Sequence, residues 1–347
     1  MVVLNQTSRK KETYQVEIKY SILWECALGI AAITNTTLLD TLEKPRKYWK
    51  EIRKSLSTEL LNEIAFVEEH NTWKSLLQLL HIKDFADLQE FISYINVLPI
   101  NDLKYHSLPF IGDKYQLVRE KAAKGSESAI NEMKEHTHDN SFFPSYIQFI
   151  SEVDGETLKE HLIAVLSGWY LEVIEKDEVY LQQILQTDCE MKKRMKLKLK
   201  SEDLVEWSTG GVAYTPEPSV NHVLLIPHYI YRPWNIEADM EDTKIFYYPI
   251  ANESISPCDR YLPDNFLLLK YKALGDEVRL KIVKLLYEEE RTLQDITNQI
   301  NIGKSTIHHH LKILRAAKLV EIVESKYSLK KKAIEFLPEE MNHFLRK

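Results

Sequence analysis

The stretch KSTIHHHLKILRAA, from Lys304 to Ala317, combines many hydrogen-bond donors with a complete absence of carboxylates. Ile307, Leu311 and Leu314 recur at i, i+4 and i+7, which predicts one buried stripe on an amphipathic helix. The other faces carry hydroxyl, imidazole, ammonium and guanidinium groups, which can donate to phosphates and to base edges in the major groove of DNA. Taken alone, the stretch fits a surface helix of a globular domain equally well.

The hydroxyls at the start of this helix and the imidazoles one turn later are the candidate base-reading groups. Ser305 is predicted to cap the first turn, and with Thr306 it can meet a phosphate or a base edge. The alternatives for the adjacent histidines are zinc binding or simple packing, but neighbours on a helix point about 100° apart and cannot all bind one ion. The predicted DNA-contacting residues are Lys304, Ser305, Thr306, His308, His309, Lys312, Lys326 and Lys330.

The segments around this helix predict a winged helix-turn-helix. The predicted elements are helices at 264–271, 276–288, 293–300 and 304–317, strands at 318–324 and 326–330, and a closing helix from 331. Residues 301–303 form the tight turn between the two helices of the motif. A turn at Ser325 and Lys326 joins the two strands into a wing.

Four segments of this module resemble the ArsR-type family of bacterial transcriptional regulators. They are ALGDEVRLKIVKLL (273–286), TLQDI (292–296), STIHHHLKILRAAKLV (305–320) and YSL (327–329). The resemblance implies a homodimer, with the first and last helices of the module packing across the twofold axis. It also implies that residues 304–312 enter the major groove of double-stranded operator DNA.

The chain departs from this family pattern at two places. Metal-sensing members carry Cys-x-Cys in the helix that corresponds to 293–300, whereas this chain has LQDI at its start and no cysteine after Cys258. Thiolate-based metal sensing at that site is therefore excluded. The wing is also short and lacks a Gly/Arg-rich tip, so we expect only phosphate contacts from Lys326 and Lys330.

Composition predicts a mainly α chain with a small β component. The chain has 347 residues and only nine glycines. Residues 266–347 hold 16 Lys and Arg against 11 Asp and Glu, which gives this part a net charge of +5. Because the net charge of the whole chain is −7, residues 1–265 carry a net charge of −12. This contrast predicts a basic binding module at 264–347 and an acidic, mostly helical N-terminal domain at 12–263.

The N-terminal domain is expected to contain a small sheet. Alternation over 14–20 predicts a strand, and β-branched and aromatic residues predict partner strands within the strand-rich part, 208–263. Two stretches, FFPSYIQFI (142–150) and LLIPHYIYRPW (224–234), resemble the N-terminal region fused to some ArsR-type regulators.

One arginine in this domain is a candidate ligand anchor. Arg232 lies among Tyr229, Tyr231 and Trp234, where it could bind an anionic effector; the alternative is an aromatic core with Arg232 at its rim. His136, His138, His222 and His228 could bind zinc with Cys189 or Cys258, but no spacing is diagnostic, so we expect neither metal nor cofactor.

These features together predict a cytoplasmic, non-enzymatic, DNA-binding transcriptional regulator. The first twenty residues lack the apolar segment of a signal peptide, and no stretch is long enough to span a membrane. Control is expected to act through the N-terminal domain, and the sequence leaves open both whether a small-molecule effector exists and what it is. The alternatives are a protein-binding adaptor that uses the winged module to dimerise, or an enzyme fused to it. Against the enzyme, we find no Gly-rich phosphate loop, G-x-S-x-G or H-E-x-x-H.

Overall fold

The computed structural model describes residues 13–256, 259 and 261–346, and these form a mainly α protein with a small β component, as predicted. The chain divides into two compact units, one comprising the described residues up to 205 with 213–249, the other 206–212 with those from 250 onward. The domain limits 12–263 and 264–347 stay a prediction, and Glu12 and Lys347 lie outside the described residues. Among the described residues, none of the helices is both long enough and apolar enough to cross a membrane.

A four-stranded sheet organises the N-terminal unit. Its strands are β1 (Gln15–Ile18), β2 (His222–His228), β3 (Ile236–Met240) and β4 (Thr243–Pro249), in the order β1-β2-β4-β3. The predicted pairing of the N-terminal strand is confirmed, because β1 runs parallel to β2 with Gln15 opposite His222. β2 and β4 are also parallel, and β3 closes the sheet as an antiparallel hairpin with β4. The central strands are buried on both faces, which requires nearly continuous apolar runs.

Helices make up most of this unit. They are α1 (Ile22–Thr34), α2 (Arg46–Ser55), α3 (Thr58–His70), α4 (Trp73–Leu79), α5 (Leu88–Val97), α6 (Ile100–Ser107), α7 (Gln116–Ala123), α8 (Glu127–His136), α9 (Phe143–Glu152), α10 (Gly155–Trp169) and α11 (Glu178–Lys196). The next helix, α12 (Ser201–Ser208), belongs to this unit up to residue 205 and to the second unit from residue 206. Every residue of α1 except Thr34 is buried, which makes α1 the central helix of the unit.

A buried carboxylate ties α1 to the end of β2. Glu25 is 1% exposed and accepts hydrogen bonds from the backbone N–H groups of Tyr229 and Ile230, just beyond the last residue of β2. Burial raises the pKa of Glu25 to about 7, although the two N–H donors and the Lys44 ammonium act in the opposite direction. The carboxyl group therefore orients the β2–β3 connection at a cost that grows with ionisation.

Replacement of Glu25 by glutamine should change how stability depends on pH. A carboxyl whose pKa is raised on folding stabilises most below its unfolded pKa, near 4.5, and loses that advantage as pH rises through about 7. Glu25→Gln keeps an acceptor oxygen but cannot ionise. The free energy of unfolding of the variant should therefore rise relative to that of the wild type between pH 5 and pH 8, by at most about 1.4 kcal/mol per pH unit.

Thermal unfolding of both proteins at pH 5 and pH 8 measures this gain. Glu59→Gln, at an exposed position on α3, provides the matched control and should show no such trend. An identical difference between Glu25→Gln and wild type at both pH values would contradict the assignment.

The second unit contains the predicted winged helix-turn-helix. Its elements are α13 (Asn252–Ile255), α14 (Asn265–Leu274), α15 (Glu277–Glu288), α16 (Leu293–Ile300), α17 (Lys304–Ala316), β5 (Val320–Val323), β6 (Lys326–Leu329), α18 (Lys331–Glu335) and α19 (Leu337–Arg346). Arg291 also bridges Tyr327 in antiparallel fashion, which extends the wing by one residue from the segment before α16.

The predicted position of the wing turn is wrong by one residue. Val323 pairs with Lys326, so the two-residue loop consists of Glu324 and Ser325 rather than Ser325 and Lys326. Both loop residues have positive φ, 47° and 65°, as in a type I′ turn. That turn type matches the right-handed twist of the strands it joins, and here it is built without glycine.

Candidate DNA-binding surface

Three apolar side chains fix the rotation of α17 about its axis. Ile307, Leu311 and Leu314 are fully buried and belong to one core cluster with Ile282 of α15 and Ile296 of α16. The predicted buried stripe is therefore confirmed. Burial of each such side chain stabilises the module by about 1.5–3 kcal/mol, so the opposite face of α17 is held toward solvent.

The turn between α16 and α17 leaves the N-terminus of α17 without a side-chain cap. The helix α16 starts with a capping box between Thr292 and Asp295 and ends at Asn301 in the left-handed conformation, φ 57°. The N-cap of α17 is Gly303, which has no side chain to accept a hydrogen bond. The predicted cap by Ser305 is wrong, since Ser305 lies within the first turn of the helix. The first N–H groups of α17 thus lie at an exposed, partially positive helix end that suits a phosphate oxygen.

The exposed side of α17 brings most of the predicted residues together. Lys304, Ser305, Thr306 and His309 are exposed, while His308 and Lys312 are half-buried. The two hydroxyls adjoin the uncapped helix end, and the imidazoles follow one turn later. Hydroxyl and imidazole groups can read base edges, whereas ammonium groups suit phosphates.

Arg315 belongs to the same surface, although it was not among the predicted contacts. It follows His308 and Lys312 at i, i+4 and i+7, and this spacing is the sequence signal that could have identified it. Partial burial, and then the charges of Lys312 and Arg315, lower the pKa of His308. His308 is therefore neutral at pH 7, with one ring nitrogen that donates and one that accepts.

The cations of this surface have no carboxylate partner. Several other basic residues of the unit are ion-paired, for example Lys281 with Glu277 at 2.6 Å and Lys284 with Glu288 at 3.2 Å. Within the residues that the structure describes, no carboxylate oxygen lies within 4.0 Å of the charged nitrogens of Lys304, Lys312 or Arg315. Their charge remains available to an external anion.

The wing contributes less positive charge than its lysines suggest. Lys326 is exposed beside the turn. The Lys330 ammonium lies 3.2 Å from Glu321 Oε2 and also donates to the carbonyl oxygen of Gly211. Contact of Lys330 with DNA would therefore compete with these two acceptors, and it stays a prediction.

An arginine that the sequence did not single out links three helices of the module. Arg279 of α15 donates from Nε to the Ala273 carbonyl at 2.5 Å and from Nη2 to the Lys272 carbonyl at 3.1 Å, both on α14. Its Nη1 lies 3.5 Å from His310 Nδ1 of α17. His310 thus faces the interior of the module, whereas His309 faces solvent, so the three histidines share no common ion. The described part of the chain contains no group of three or more His, Cys, Asp or Glu arranged to hold a metal.

The four residues predicted to bind an effector have separate surroundings. Arg232 is 1% exposed, and its Nε lies 2.9 Å from Glu43 Oε2, so its charge is balanced within the protein. Trp234 donates to Thr41 Oγ1, and the Tyr229 hydroxyl accepts from Lys44. Tyr231 lines a cleft of the N-terminal unit to whose wall the other three residues do not belong.

The histidine and cysteine candidates for zinc do not converge. His136 and His138 are exposed on α8 and just after it, whereas His228 is fully buried at the end of β2. The buried Cys189 thiol faces the carbonyl oxygen of Ile18 at 3.6 Å. Cys258, the other candidate, lies outside the described residues.

Three hydrogen-bonded groups, of which Thr72 and His161 are buried and Glu63 is half-buried, have the connectivity of a hydrolase triad. Thr72 Oγ1 lies 2.7 Å from His161 Nε2, and His161 Nδ1 lies 2.5 Å from Glu63 Oε2. Burial lowers the pKa of His161, although Glu63 opposes that shift. The Thr72 hydroxyl has 0% exposure, so no substrate can reach it in this conformation. These three hydrogen-bonded side chains therefore join α3, the start of α4 and α10, and their role is structural.

Comparison with known proteins agrees with this geometry. The family described as "Bacterial regulatory protein, arsR family" matches residues 276–321. The Transcriptional repressor SdpR of Bacillus subtilis (strain 168) is 42% identical over 50 residues, which are 14% of this chain and 56% of that repressor. The chain thus spans little more than half the length of this curated relative. No solved structure matches the chain at a significant level. The C-terminal module is an ArsR-type helix-turn-helix module.

Proposed function

We propose that this chain is a transcriptional regulator that binds operator DNA by placing the N-terminal half of α17 in the major groove. The observation that carries the proposal is the solvent-facing side of α17: exposed hydroxyls and Lys304 lie at an uncapped helix N-terminus, and Lys312 and Arg315, which have no carboxylate partner among the described residues, follow along the helix. No carboxylate lies on this face. The family match over 276–321 supports the same role.

The two kinds of group on α17 have different tasks in this proposal. Lys304, Lys312 and Arg315 bind phosphates and set affinity, which does not depend on base sequence. Thr306 and His309 face the base edges and set specificity. Because the tasks differ, substitutions at the two sets should have separable effects.

Removal of the base-reading groups should abolish discrimination between operator and unrelated DNA. The double variant Thr306→Ala, His309→Ala removes two exposed side chains and leaves the buried stripe intact. With about 1–3 kcal/mol lost per base contact, binding to the chain's own upstream DNA should weaken at least tenfold. Fluorescence anisotropy with that DNA and with a scrambled duplex measures both affinities.

The matched control replaces two exposed polar residues of α16, Gln294 and Asn298, by alanine. This pair should leave operator affinity within twofold of wild type. Equal operator affinities of wild type and the α17 variant would refute the groove assignment. An absence of wild-type binding to any duplex would instead favour the adaptor alternative.

Removal of the phosphate-binding cations should change the salt dependence of binding. Each lost phosphate contact makes the slope of log K against log[salt] shallower by about 0.9. The variant Lys304→Ala, Lys312→Ala should therefore reduce the slope by about 1.8 per protomer, without altering the preference for operator over scrambled DNA. The control Lys281→Ala, Lys284→Ala removes the same charge from α15, where both lysines are ion-paired. An equal loss of slope in both variants would show that the effect is general electrostatics.

We further propose that the module acts as a homodimer through α14 and α19. Exposed apolar residues lie on both helices: Leu268 is 37% exposed, Tyr271 43% and Leu345 71%. Within one protomer the helices are joined by Lys270 Nζ and Glu340 Oε1 at 2.6 Å, with the Lys270 side chain 8% exposed. A twofold dimer would bury these apolar side chains and present two copies of α17 to half-sites about 34 Å apart.

A charge placed in this surface should dissociate the dimer. Tyr271→Glu puts an unpaired carboxylate into the proposed interface, whereas Leu280→Glu places one at a 51% exposed position on α15, outside it. Sedimentation velocity should show a monomer for Tyr271→Glu and a dimer for wild type and Leu280→Glu. A wild-type monomer at micromolar concentration, or a dimeric Tyr271→Glu variant, would contradict this interface.

Control of DNA binding is proposed to lie in the N-terminal unit, and the chain is proposed to have no catalytic role. Helix α16 offers no thiolate for a metal, since its residues are LQDITNQI. The N-terminal unit has its own sheet, its own core and a cleft, as an effector-binding domain needs. An effector would change the spacing of the two α17 helices in the dimer and so couple its binding to that of DNA.

A further inference from the structure

A cleft of about 530 Å³ lies in the N-terminal unit beyond the carboxyl end of β2. Tyr231 and Ile236, from the connection between β2 and β3, form part of its wall. In open sheets with parallel strands, ligands bind at the carboxyl ends of the strands. The volume also falls within the usual range for small-molecule sites, about 300–1,000 Å³.

One carboxylate, which already forms an ion pair, lines this cleft. It belongs to Glu68, and the lining includes no lysine, arginine or histidine. Glu68 Oε1 accepts from Arg53 Nη1 at 2.6 Å, and among the described residues Oε2 has no hydrogen-bond partner. An external cation could therefore share this carboxylate with Arg53.

Two helix ends contribute partial negative charge. Asn35, the C-cap of α1, and Asn71, the C-cap of α3, both line the cleft. A helix C-terminus carries about half a negative elementary charge on its terminal carbonyls. Both helices have 13 residues, long enough for the end effect to develop. A cation close to either end would be attracted, and an anion would be repelled.

Aromatic side chains supply the apolar part of the wall. Trp73 and Phe142 line the cleft with ring centroids 5.5 Å apart, and Tyr231 lines it as well. Trp73 and Phe142 are half-buried, so their rings remain partly open to a ligand. Aromatic faces attract organic cations and also stack on flat rings.

We propose that this cleft binds a small aromatic ammonium compound, whose charged nitrogen lies near Glu68 and the ends of α1 and α3. Its ring packs against Trp73, Phe142 and Tyr231. This chemistry is the opposite of the anionic ligand suggested by Arg232. Both Arg232 and Glu68 are ion-paired, but the Arg232 side chain is only 1% exposed, whereas the Glu68 side chain is 32% exposed. The regulatory meaning of the site rests on the proposed control by the N-terminal unit, but its ligand preference does not.

Isothermal titration calorimetry with three indoles tests the preference on the full-length protein without DNA. Tryptamine, tryptophol and indole-3-acetate share one ring system and carry a positive, a zero and a negative charge at pH 7. Tryptamine should bind at least tenfold more tightly than tryptophol, and indole-3-acetate should not bind measurably. Equal binding of the three, tighter binding of the anion, or no binding of tryptamine at millimolar concentration would overturn the proposal.

Variants then locate the site. Glu68→Gln should reduce the tryptamine preference over tryptophol to less than threefold, whereas Glu59→Gln, exposed on the same helix, should retain it. Phe142→Ala should weaken tryptamine binding at least fivefold, and the neighbouring Phe143→Ala, which does not line the cleft, should leave it unchanged. Unchanged tryptamine affinity in both Glu68→Gln and Phe142→Ala would place the binding elsewhere.

Titration of the wild-type protein with the three indoles tests the ligand preference even if a variant fails to fold. Because no DNA is present, a negative result would leave operator binding by α17 untouched. A loss of operator binding with intact tryptamine binding would, conversely, refute only the proposed function.

Discussion

Burial of the Ile307, Leu311 and Leu314 stripe is the constraint on which the proposed DNA-binding face depends. Successive helical residues are about 100° apart, so a register error of one residue would turn the cationic face toward the core. The fully buried stripe makes such a rotation costly. The left-handed Asn301 sets where the helix begins, and the contact between Arg279 and His310 links it to α15. The surface chemistry of α17 is thus a consequence of its interior packing.

Local periodicity and capping made most of the C-terminal module predictable. The stripe of α17, the caps Asp276 and Thr292 and the hairpin are all encoded within a few neighbouring residues. The interpretation of Arg232 shows the limit of such reasoning. Its partner Glu43 is 189 positions away, and nothing in the aromatic sequence around Arg232 indicates that its charge is already balanced. The contacts of Arg279 were also not predictable, because its acceptors are backbone carbonyls that any residue type could supply.

The cleft of the N-terminal unit was not predictable for a related reason. Its walls come from α1, the ends of α3 and α4, the segment before α9 and the β2–β3 connection, which span more than half of the chain. Helix termini contribute to its potential through backbone carbonyls, which leave no trace in composition. The strand pattern did predict the sheet, but only the pairing of β1 with β2 shows that the strand after residue 221 and the helix after residue 21 border one space. Chemistry that depends on such convergence becomes visible only in three dimensions.

The wing turn has a consequence for protein engineering. Glu324 and Ser325 occupy left-handed backbone positions that cost residues other than glycine or asparagine about 1–2 kcal/mol each. An Asn-Gly pair would relieve that strain and also delete the acidic side chain at the tip of the hairpin. The wing could thereby be made stiffer and less repulsive to a polyanion without alteration of any α17 side chain. DNA affinity would then become adjustable independently of the helix that is proposed to read the bases.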